Sequence, residues 1–340
     1  MNSRALVAKT MQGEATKIPL YFWLADPKLE ARVGDIVGVR CWFKRLDFLE
    51  KGGPFKKGAE TRREWCERLQ PDKYEWPTSG DLITEMDKIV ADTLRVDRTK
   101  SFQVEILGPS ECSEYSCSPG RNAQARGLEQ VSHQFDFSVL TVLDPRKAEM
   151  IHTRFFELLL QVAKRAAEYD AIDSVRIADD FCSYAGSVYR PDFTQRIVQR
   201  QVELGRAVIK GGKYSVLHCD GDLTKYLTAL AQGYSGLHPL DFKSKSTFPD
   251  ALDWATGLTS VRQMLPDTVF FTGIPVDLLC NSQVSAHEVV EVVRNVIEAV
   301  GPERLVLTTT HRPYPGWSFS DFEDKACAIR RFLDASRHSS

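Results

Sequence analysis

The stretch at residues 214–221 reads Tyr-Ser-Val-Leu-His-Cys-Asp-Gly, and it indicates the fold more clearly than the rest of the chain. Its apolar first half predicts a short buried strand, and His218 and Asp220 follow where that strand ends. A second apolar run at 305–309 ends in the same way, with His311 two residues beyond it. In a barrel of alternating strands and helices, such strand ends meet at one rim, where barrels of this kind carry out their chemistry.

Five strand–helix units follow one another after residue 173. Strict alternation of this kind implies a parallel sheet with right-handed crossovers. Five units leave room for three more upstream, and no glycine-rich nucleotide fingerprint accompanies the strands. We therefore predict an α/β protein with a (β/α)8 TIM barrel and N-terminal insertions, as a single domain over 1–340. The predicted strands are 174–178, 214–218, 236–240, 268–272 and 305–309, and the predicted helices are 191–210, 223–230, 248–264, 285–300 and 319–332.

The N-terminal half has weaker patterns. A short helix at 3–12 precedes an apolar run at 18–23, which predicts the first barrel strand. The segments 102–107 and 135–140 alternate between apolar and polar residues and predict a hairpin beside the barrel. Between them, the polar segment 108–128 is long for a plain connection, so we predict a lid over the site.

Composition restricts the class of protein. The chain has 340 residues, 43% of them apolar and 26% charged, as is typical of a globular protein. A net charge of −2 gives no reason to expect a nucleic acid or a membrane as partner. The eight cysteines have irregular spacings, and no signal peptide is apparent, which favours a reduced, cytoplasmic setting. The expected partner is a small-molecule substrate; the oligomeric state is left open, with a homodimer as one option.

Several motifs together resemble the uroporphyrinogen decarboxylase superfamily. The resemblance covers roughly residues 150–335, and a weaker resemblance extends to the first helix and the segment after it. It implies a (β/α)8 barrel, in agreement with the strand–helix pattern. The matching segments, in chain order, are 178–181, 189–193, 216–222, 236–241, 273–279 and 310–315.

The resemblance also indicates which chemistry to expect. Porphyrinogen decarboxylases of the family hold substrate carboxylates with arginines just after the first strand, and here no arginine occurs before Arg32. Decarboxylation of uroporphyrinogen itself is therefore not expected, although His311 matches the family histidine near that substrate. Corrinoid-linked methyltransferases of the family bind zinc through a His-x-Cys motif and a distant cysteine. His218 matches their first ligand, whereas Asp220 and His311 stand where the two cysteines would be.

The substituted ligands change the expected metal chemistry. Two imidazoles and a carboxylate make a harder site than one with two thiolates. The resemblance thus implies a metal held by His218, Asp220 and His311, with zinc as the first expectation and iron as the alternative, because the same set binds non-haem Fe(II). No DxHxxG motif for cobalamin is present, so a corrinoid is expected only if a partner protein supplies it.

Other polar side chains at the predicted strand ends complete the candidate site. Asp180 and His311 are the predicted catalytic residues, Asp180 as a proton acceptor or as a group that orients a histidine. We assign Asp241 to substrate binding because it follows its own strand, and Tyr189 and Tyr21 to the same role.

Two further residues near the rim are predicted to have no chemical role. Cys219 lies between His218 and Asp220, and in an extended strand its side chain points to the opposite side. It is therefore predicted to be a core thiol. His238 is followed by a proline and is predicted to be structural.

These observations favour a metal-dependent methyltransferase- or demethylase-like enzyme that acts on a small organic substrate. The first alternative is a decarboxylase or lyase without a cofactor, in which His311 and Asp180 donate and accept the proton. The second is a non-haem Fe(II) oxidative enzyme, and the third is a binding protein without catalysis. Zinc, iron or no metal in the purified protein separates the three enzymatic hypotheses.

Overall fold

The computed structural model describes residues 2–15, 17–23, 27–41, 55–56, 58–93, 97–117, 136–313 and 318–335. Eight parallel strands form its central sheet: β1 (Leu20–Tyr21), β2 (Ile36–Cys41), β3 (Ser101–Leu107), β4 (Ser174–Ala178), β5 (Tyr214–His218), β6 (Gly236–His238), β7 (Val269–Ile274) and β8 (Leu305–Thr309). The α-helices are α1 (Ser3–Gln12), α2 (Pro27–Val33), α3 (Arg62–Arg68), α4 (Ser79–Thr93), α5 (Pro109–Cys117), α6 (Asp136–Leu143), α7 (Pro145–Ala167), α8 (Pro191–Lys210), α9 (Leu227–Leu230), α10 (Phe248–Met264), α11 (Val276–Leu279), α12 (Ala286–Val300) and α13 (Phe319–Ala335).

The sheet closes into a barrel. Each strand from β2 to β7 pairs in parallel with the next strand along the chain, and β8 also pairs in parallel with β1. The ring is completed beside β2, where the backbone N–H of Asp35 donates to the Leu20 carbonyl at 2.6 Å. In return, the Leu20 N–H donates to Asp35 Oδ2 at 2.9 Å. The predicted (β/α)8 TIM barrel is confirmed.

Helix α1 closes the end of the barrel opposite the rim. Its apolar side chains Val7 and Met11 pack with residues that point into the barrel, among them Val216, Phe271 and Val306. These side chains are nearly fully buried. The bottom of the barrel is therefore filled, and the open end is the carboxyl-terminal rim.

The elements after residue 173 lie where the sequence predicts them, with two shorter than expected. The strands 174–178 and 305–309 have the predicted bounds, and Ser285 caps α12 in a capping box with Glu288. The strand predicted at 236–240 ends at His238, and the helix predicted at 223–230 comprises only Leu227–Leu230.

Two predictions for the N-terminal half are wrong. The segment 102–107 belongs to β3, which pairs in parallel with β2 and β4 and is not part of a hairpin. Residues 136–143 form helix α6, whereas a strand was predicted over 135–140. The alternation Phe-Asp-Phe is too short to decide, and the spacing of Phe137, Leu140 and Thr141 buries one face of a helix.

Only part of the predicted lid at 108–128 falls on described residues. Residues 109–117 form helix α5, whose side chains are mostly buried. Glu114 on α5 accepts the backbone N–H groups of Phe137 at 3.1 Å and Ser138 at 3.0 Å, which joins this helix to the start of α6. Residues 118–128 lie outside the described residues, and a lid there stays a prediction.

Among the described helices, none combines the length and the apolar composition needed to cross a bilayer.

Candidate functional site

Four of the predicted site residues follow strand ends at the open rim. His218 is the last residue of β5, and Asp220 lies two residues beyond it. Asp180 lies two residues after β4, and His311 two residues after β8. Because the strands are parallel, their carboxyl ends point to one side of the barrel and bring these side chains together.

A glycine allows the loop that carries Asp220 to turn tightly. Gly221 has a φ of +91°, in the region that favours glycine. A Cβ atom at this position would lie 2.7 Å from backbone atoms of Cys182 and Ser183 in the small hairpin after β4. Close contact of the two loops places Asp220 beside Asp180, and the Asp220 N–H donates to Asp180 Oδ1 at 2.9 Å.

Asp180, His218 and Asp220 form a compact group. Each offers one atom that can bind a metal, and these three atoms all lie within 4.8 Å of one another. His218 Nε2 is 3.8 Å from Asp180 Oδ1 and 4.0 Å from Asp220 Oδ1. Both distances exceed a hydrogen bond. The three side chains therefore surround a gap, and no direct hydrogen bond joins His218 Nε2 to either carboxylate across it.

His311 lies beside this group but is not a member of it. Its Nε2 is 4.0 Å from Asp220 Oδ2, the other oxygen of the same carboxylate. Its Nδ1 lies 2.7 Å from the Arg312 carbonyl, which can only accept, so Nδ1 carries the proton and Nε2 faces Asp220 with a lone pair. Of the predicted set His218, Asp220 and His311, the structure places both histidines next to Asp220, with Asp180 as an additional neighbour.

The electrostatics of the group favour a cation. Burial raises the pKa of Asp220 well above its usual value, and the charges of Asp180 and Asp241 raise it further. Asp220 Oδ1 has no hydrogen-bond partner among the described residues. Burial, reinforced by Arg176, lowers the pKa of His218 well below its usual value. Burial also lowers the pKa of His311 to about 3. A cation beside this group would favour the charged forms of the crowded carboxylates, and neutral imidazoles would not repel it.

An aromatic side chain at the end of β1 touches all the rim histidines. The ring of Trp23 lies 4.7 Å from that of His218 and 5.7 Å from that of His311, between centroids. The distance to His238 is 5.4 Å. The guanidinium of Arg176 packs on the same indole, 3.7 Å from its centroid. Trp23 is 1% exposed and separates the rim from the barrel interior.

Beneath Trp23, the barrel interior contains charged side chains that sequence reasoning missed. Glu105 on β3 pairs with Arg40 on β2, and its Oε2 lies 3.2 Å from Arg176 Nε on β4. Burial lowers the pKa of Arg176 to about 10, against the opposing charge of Glu105. A charged residue inside an otherwise apolar strand was the available signal, because such residues are buried only with a partner.

His238 was predicted to be structural, and the structure connects it directly to the candidate group. Its Nδ1 lies 2.7 Å from His218 Nδ1 and 2.7 Å from Arg176 Nη2. Its Nε2 lies 2.9 Å from the carbonyl oxygen of Thr309 on β8. His238 is 1% exposed. Its contacts link its own strand, β6, with β4, β5 and β8.

Asp241 lies on the rim and is engaged by its own neighbours. It forms an ion pair with Lys245, which is buried, and it accepts a hydrogen bond from Tyr184 Oη at 3.4 Å. Its charge raises the pKa of Asp220, so it faces the candidate group.

The two tyrosines predicted to bind substrate lie in different layers. Tyr189 Oη donates to Glu114 Oε1 at 3.0 Å, and its ring packs against Phe137 and Phe193 in the helical layer. Tyr21 lies inside the barrel at 1% exposure, in the apolar cluster that α1 closes. Their substrate-binding roles stay predictions.

No protein-family model matches this chain, and no curated protein matches its sequence. Solved structures do resemble it. A methyltransferase from Methanosarcina mazei superimposes with a TM-score of 0.60 at 15% identity, over 98% of this chain and 99% of that one. At this identity the likeness shows the shared fold, and it confirms the fold that the superfamily resemblance implies.

Two other solved structures superimpose with lower scores. A B12-independent methionine synthase from Shewanella sp. W3-18-1 has a TM-score of 0.43 at 10% identity, over 76% of this chain and 68% of that one. A Cellulomonas fimi endo-beta-1,4-mannanase also scores 0.43, at 13% identity, over 96% of this chain and 74% of that one. Likenesses at these scores carry no argument about fold or function.

Proposed function

We propose that this protein is a metal-dependent methyltransferase-like enzyme that acts on a small organic substrate at the carboxyl-terminal rim of its barrel. The observation that carries the proposal is the compact group of Asp180, His218 and Asp220, in which the buried Oδ1 of Asp220 has no hydrogen-bond partner within the described part of the chain. Two further observations support the type of reaction. The sequence resembles the corrinoid-linked methyltransferase branch of the uroporphyrinogen decarboxylase superfamily, and the fold is shared with a methyltransferase.

The residues fit a divalent metal. The separations of 3.8 and 4.0 Å from His218 Nε2 to the two carboxylates are too long for hydrogen bonds. They are within the span of two bonds of about 2.0–2.2 Å to one shared ion. One imidazole and two carboxylates suit Zn2+, which we propose, and also Fe2+. When bound, such an ion supplies Lewis-acid activation of the group that receives or releases the methyl.

The protein's own side chains would orient the substrate around this group. His311 presents a lone pair on Nε2, and its low pKa keeps the ring neutral, so it can accept a hydrogen bond from a hydroxyl or thiol of the substrate. Trp23 excludes water from below because its indole covers the barrel interior. Asp241 lies on the rim, where its charge acts on Asp220, and is proposed to contact polar groups of the substrate. A corrinoid, if one takes part, would come from a partner protein.

Metal analysis of the purified protein tests the proposal. We expect about one zinc ion per chain by mass spectrometry of the metal, and binding of added Zn2+ after chelator treatment. His218→Ala should abolish both bound metal and turnover while the fold stays intact, and Asp220→Asn should weaken Zn2+ binding. Matched controls are His287→Ala on an exposed face of α12 and Asp267→Asn at the closed end of the barrel, where the side chain is 94% exposed.

Each contrary result identifies a different enzyme. Iron as the native metal would favour the non-haem Fe(II) alternative. A protein that contains no metal and does not bind Zn2+ would overturn the proposal. If turnover were also lost in His311→Ala alone, the decarboxylase or lyase hypothesis would replace it, with His311 acting on the proton.

A further inference from the structure

We infer that His238 is a positioning residue that holds His218 in the tautomer whose Nε2 lone pair faces Asp180 and Asp220. As a statement about metal binding, this rests on the proposed function; as a statement about the proton on His218, it stands on the hydrogen bonds alone. The sequence predicted only a structural role for His238, and the inference comes from three short contacts around its ring.

Two independent contacts fix where His238 carries its proton. Its Nε2 lies 2.9 Å from the Thr309 carbonyl oxygen, which can only accept, so Nε2 carries the hydrogen. A neutral imidazole has one N–H, so Nδ1 carries a lone pair. Arg176 supports the same assignment, because its Nη2 lies 2.7 Å from Nδ1 and a guanidinium can only donate.

The tautomer of His218 follows from that of His238. The two Nδ1 atoms lie 2.7 Å apart, a hydrogen-bond distance that requires one proton between them. His238 Nδ1 has none to give, so His218 Nδ1 is the donor, and the single lone pair of His238 Nδ1 is shared between the N–H groups of His218 and Arg176. The single hydrogen of the neutral His218 ring is thereby placed on Nδ1, and Nε2 is left with a lone pair on the side of the two carboxylates.

This arrangement prepares His218 to bind a metal. The opposite tautomer would put an N–H where a ligand lone pair is needed. Histidines that bind metals usually donate their other N–H to a carboxylate, a carbonyl or a water. Here the acceptor is a second imidazole, held by a backbone carbonyl at the end of β8 and by a buried arginine from β4. The Thr309 carbonyl and the Arg176 guanidinium hold His238 in a fixed position because both residues belong to barrel strands.

A pair of substitutions at His238 tests this role. In His238→Phe the ring volume remains but the acceptor is lost. We expect the dissociation constant for Zn2+, measured by competition with a chromophoric chelator, to rise about 10- to 100-fold. In His238→Asn the side-chain oxygen stands near the position of Nδ1 and can accept from His218 and Arg176, so most of the affinity should return. His287→Phe on the exposed face of α12 is the matched control.

A second measurement needs no substitution at His238. In metal-free wild-type protein labelled with 15N-histidine, the His218 ring signal should show its proton on Nδ1; the signal is assigned by its loss in His218→Ala. A proton on Nε2 of His218 would overturn the inference. So would unchanged Zn2+ affinity in a folded His238→Phe variant of a protein that binds Zn2+.

The two proposals fail in different ways. If the wild-type protein binds no Zn2+ and yet carries the His218 proton on Nδ1, the proposed function fails and the tautomer assignment holds. If it binds Zn2+ and the proton is on Nε2 in the metal-free state, the proposed function stands and His238 is not the positioning residue.

Discussion

Two histidines in this protein are held by the same kind of arginine contact in different layers. His238 Nδ1 accepts from Arg176 at 2.7 Å in the barrel, and His152 Nδ1 accepts from Arg200 at 2.6 Å between the outer helices. The Nε2 of His238 lies 2.9 Å from a backbone carbonyl of β8, and that of His152 lies 3.2 Å from a serine hydroxyl of α5. At the rim, the chain of contacts continues to His218. In the helical layer it passes through Ser110 to the buried carboxyl group of Asp179.

The difference shows that the arginine–imidazole contact does not by itself mark a functional residue. Both rings are buried, and burial lowers the pKa of both well below the usual value for histidine. His152 is surrounded by Phe137 and Phe193 and connects helices. His238 has a second imidazole on its Nδ1 side, and that imidazole faces two carboxylates. The other groups that contact the ring therefore decide whether the arginine–imidazole contact belongs to a candidate site or to the packing of helices.

The carboxylates that pair with the two arginines also differ in their exposure to solvent. Glu105 is 2% exposed and lies between Arg40 and Arg176. Glu149 is 32% exposed and pairs with Arg200 at 2.5 Å. A charge pair removed from water depends on its partner far more than one that water can screen. The two glutamates thus offer a direct test of the comparison.

The largest effect is expected for Glu105→Gln. The substitution keeps the size of the side chain and removes the negative charge between two buried guanidinium groups. We expect it to lower the free energy of unfolding by about 3–5 kcal/mol, the cost of leaving a buried charge unpaired. Urea unfolding followed by circular dichroism would measure the change. A loss below about 1 kcal/mol, typical of exposed pairs, would mean that the two glutamates are equivalent.

The contrast between barrel and helical layer also explains what the sequence could predict. Strands 174–178 and 305–309 have their predicted bounds because buried parallel strands are short apolar runs between helices with clear periodicity. Strand β2 was not predicted, since Gly38 and Arg40 interrupt its apolar pattern. Gly38 is required because a Cβ atom there would lie 1.9 Å from the Tyr21 hydroxyl oxygen.

The positions of the candidate residues could be predicted, whereas their partners could not. The rim positions of Asp180, His218, Asp220 and His311 could be predicted because each follows a strand that the sequence reveals. Partners from other strands could not be predicted, because pairing across the barrel depends on register and closure. The contact of His238 with His218 is of this kind, since the two residues are aligned in the pairing of β5 with β6.

A smaller effect is expected in the pH dependence of stability. Because His152 has a pKa well below 6.5 in the folded protein, it stays neutral there, while in the unfolded chain it is protonated below about pH 6.5. Above pH 6.5, His152 contributes no pH dependence to the free energy of unfolding. Below it the unfolded state binds the extra proton, so stability falls by at most about 1.4 kcal/mol per pH unit for this one group.

His152→Asn removes this titration and keeps an acceptor near the Arg200 contact. Between pH 6.5 and 5, the metal-free variant should lose stability less steeply than the metal-free wild-type protein, by up to the slope of one histidine. The slopes are compared, since the substitution also changes stability at neutral pH. Equal slopes would show that His152 titrates in the folded state as it does in the unfolded chain, so that burial does not lower its pKa.

The smallest effect is expected for Glu149→Gln, the counterpart of Glu105→Gln in the helical layer. Glu149 is partly solvated, and Arg200 keeps its contacts with His152 at 2.6 Å and with Thr153 at 2.6 Å after the change. The guanidinium is therefore not left without partners, and its charge is partly screened by water. We expect a loss of no more than about 1 kcal/mol in urea unfolding, and a smaller loss at high salt. A loss as large as that of Glu105→Gln, unaffected by salt, would mean that solvent does not reach this pair and that both glutamates serve as buried counter-ions.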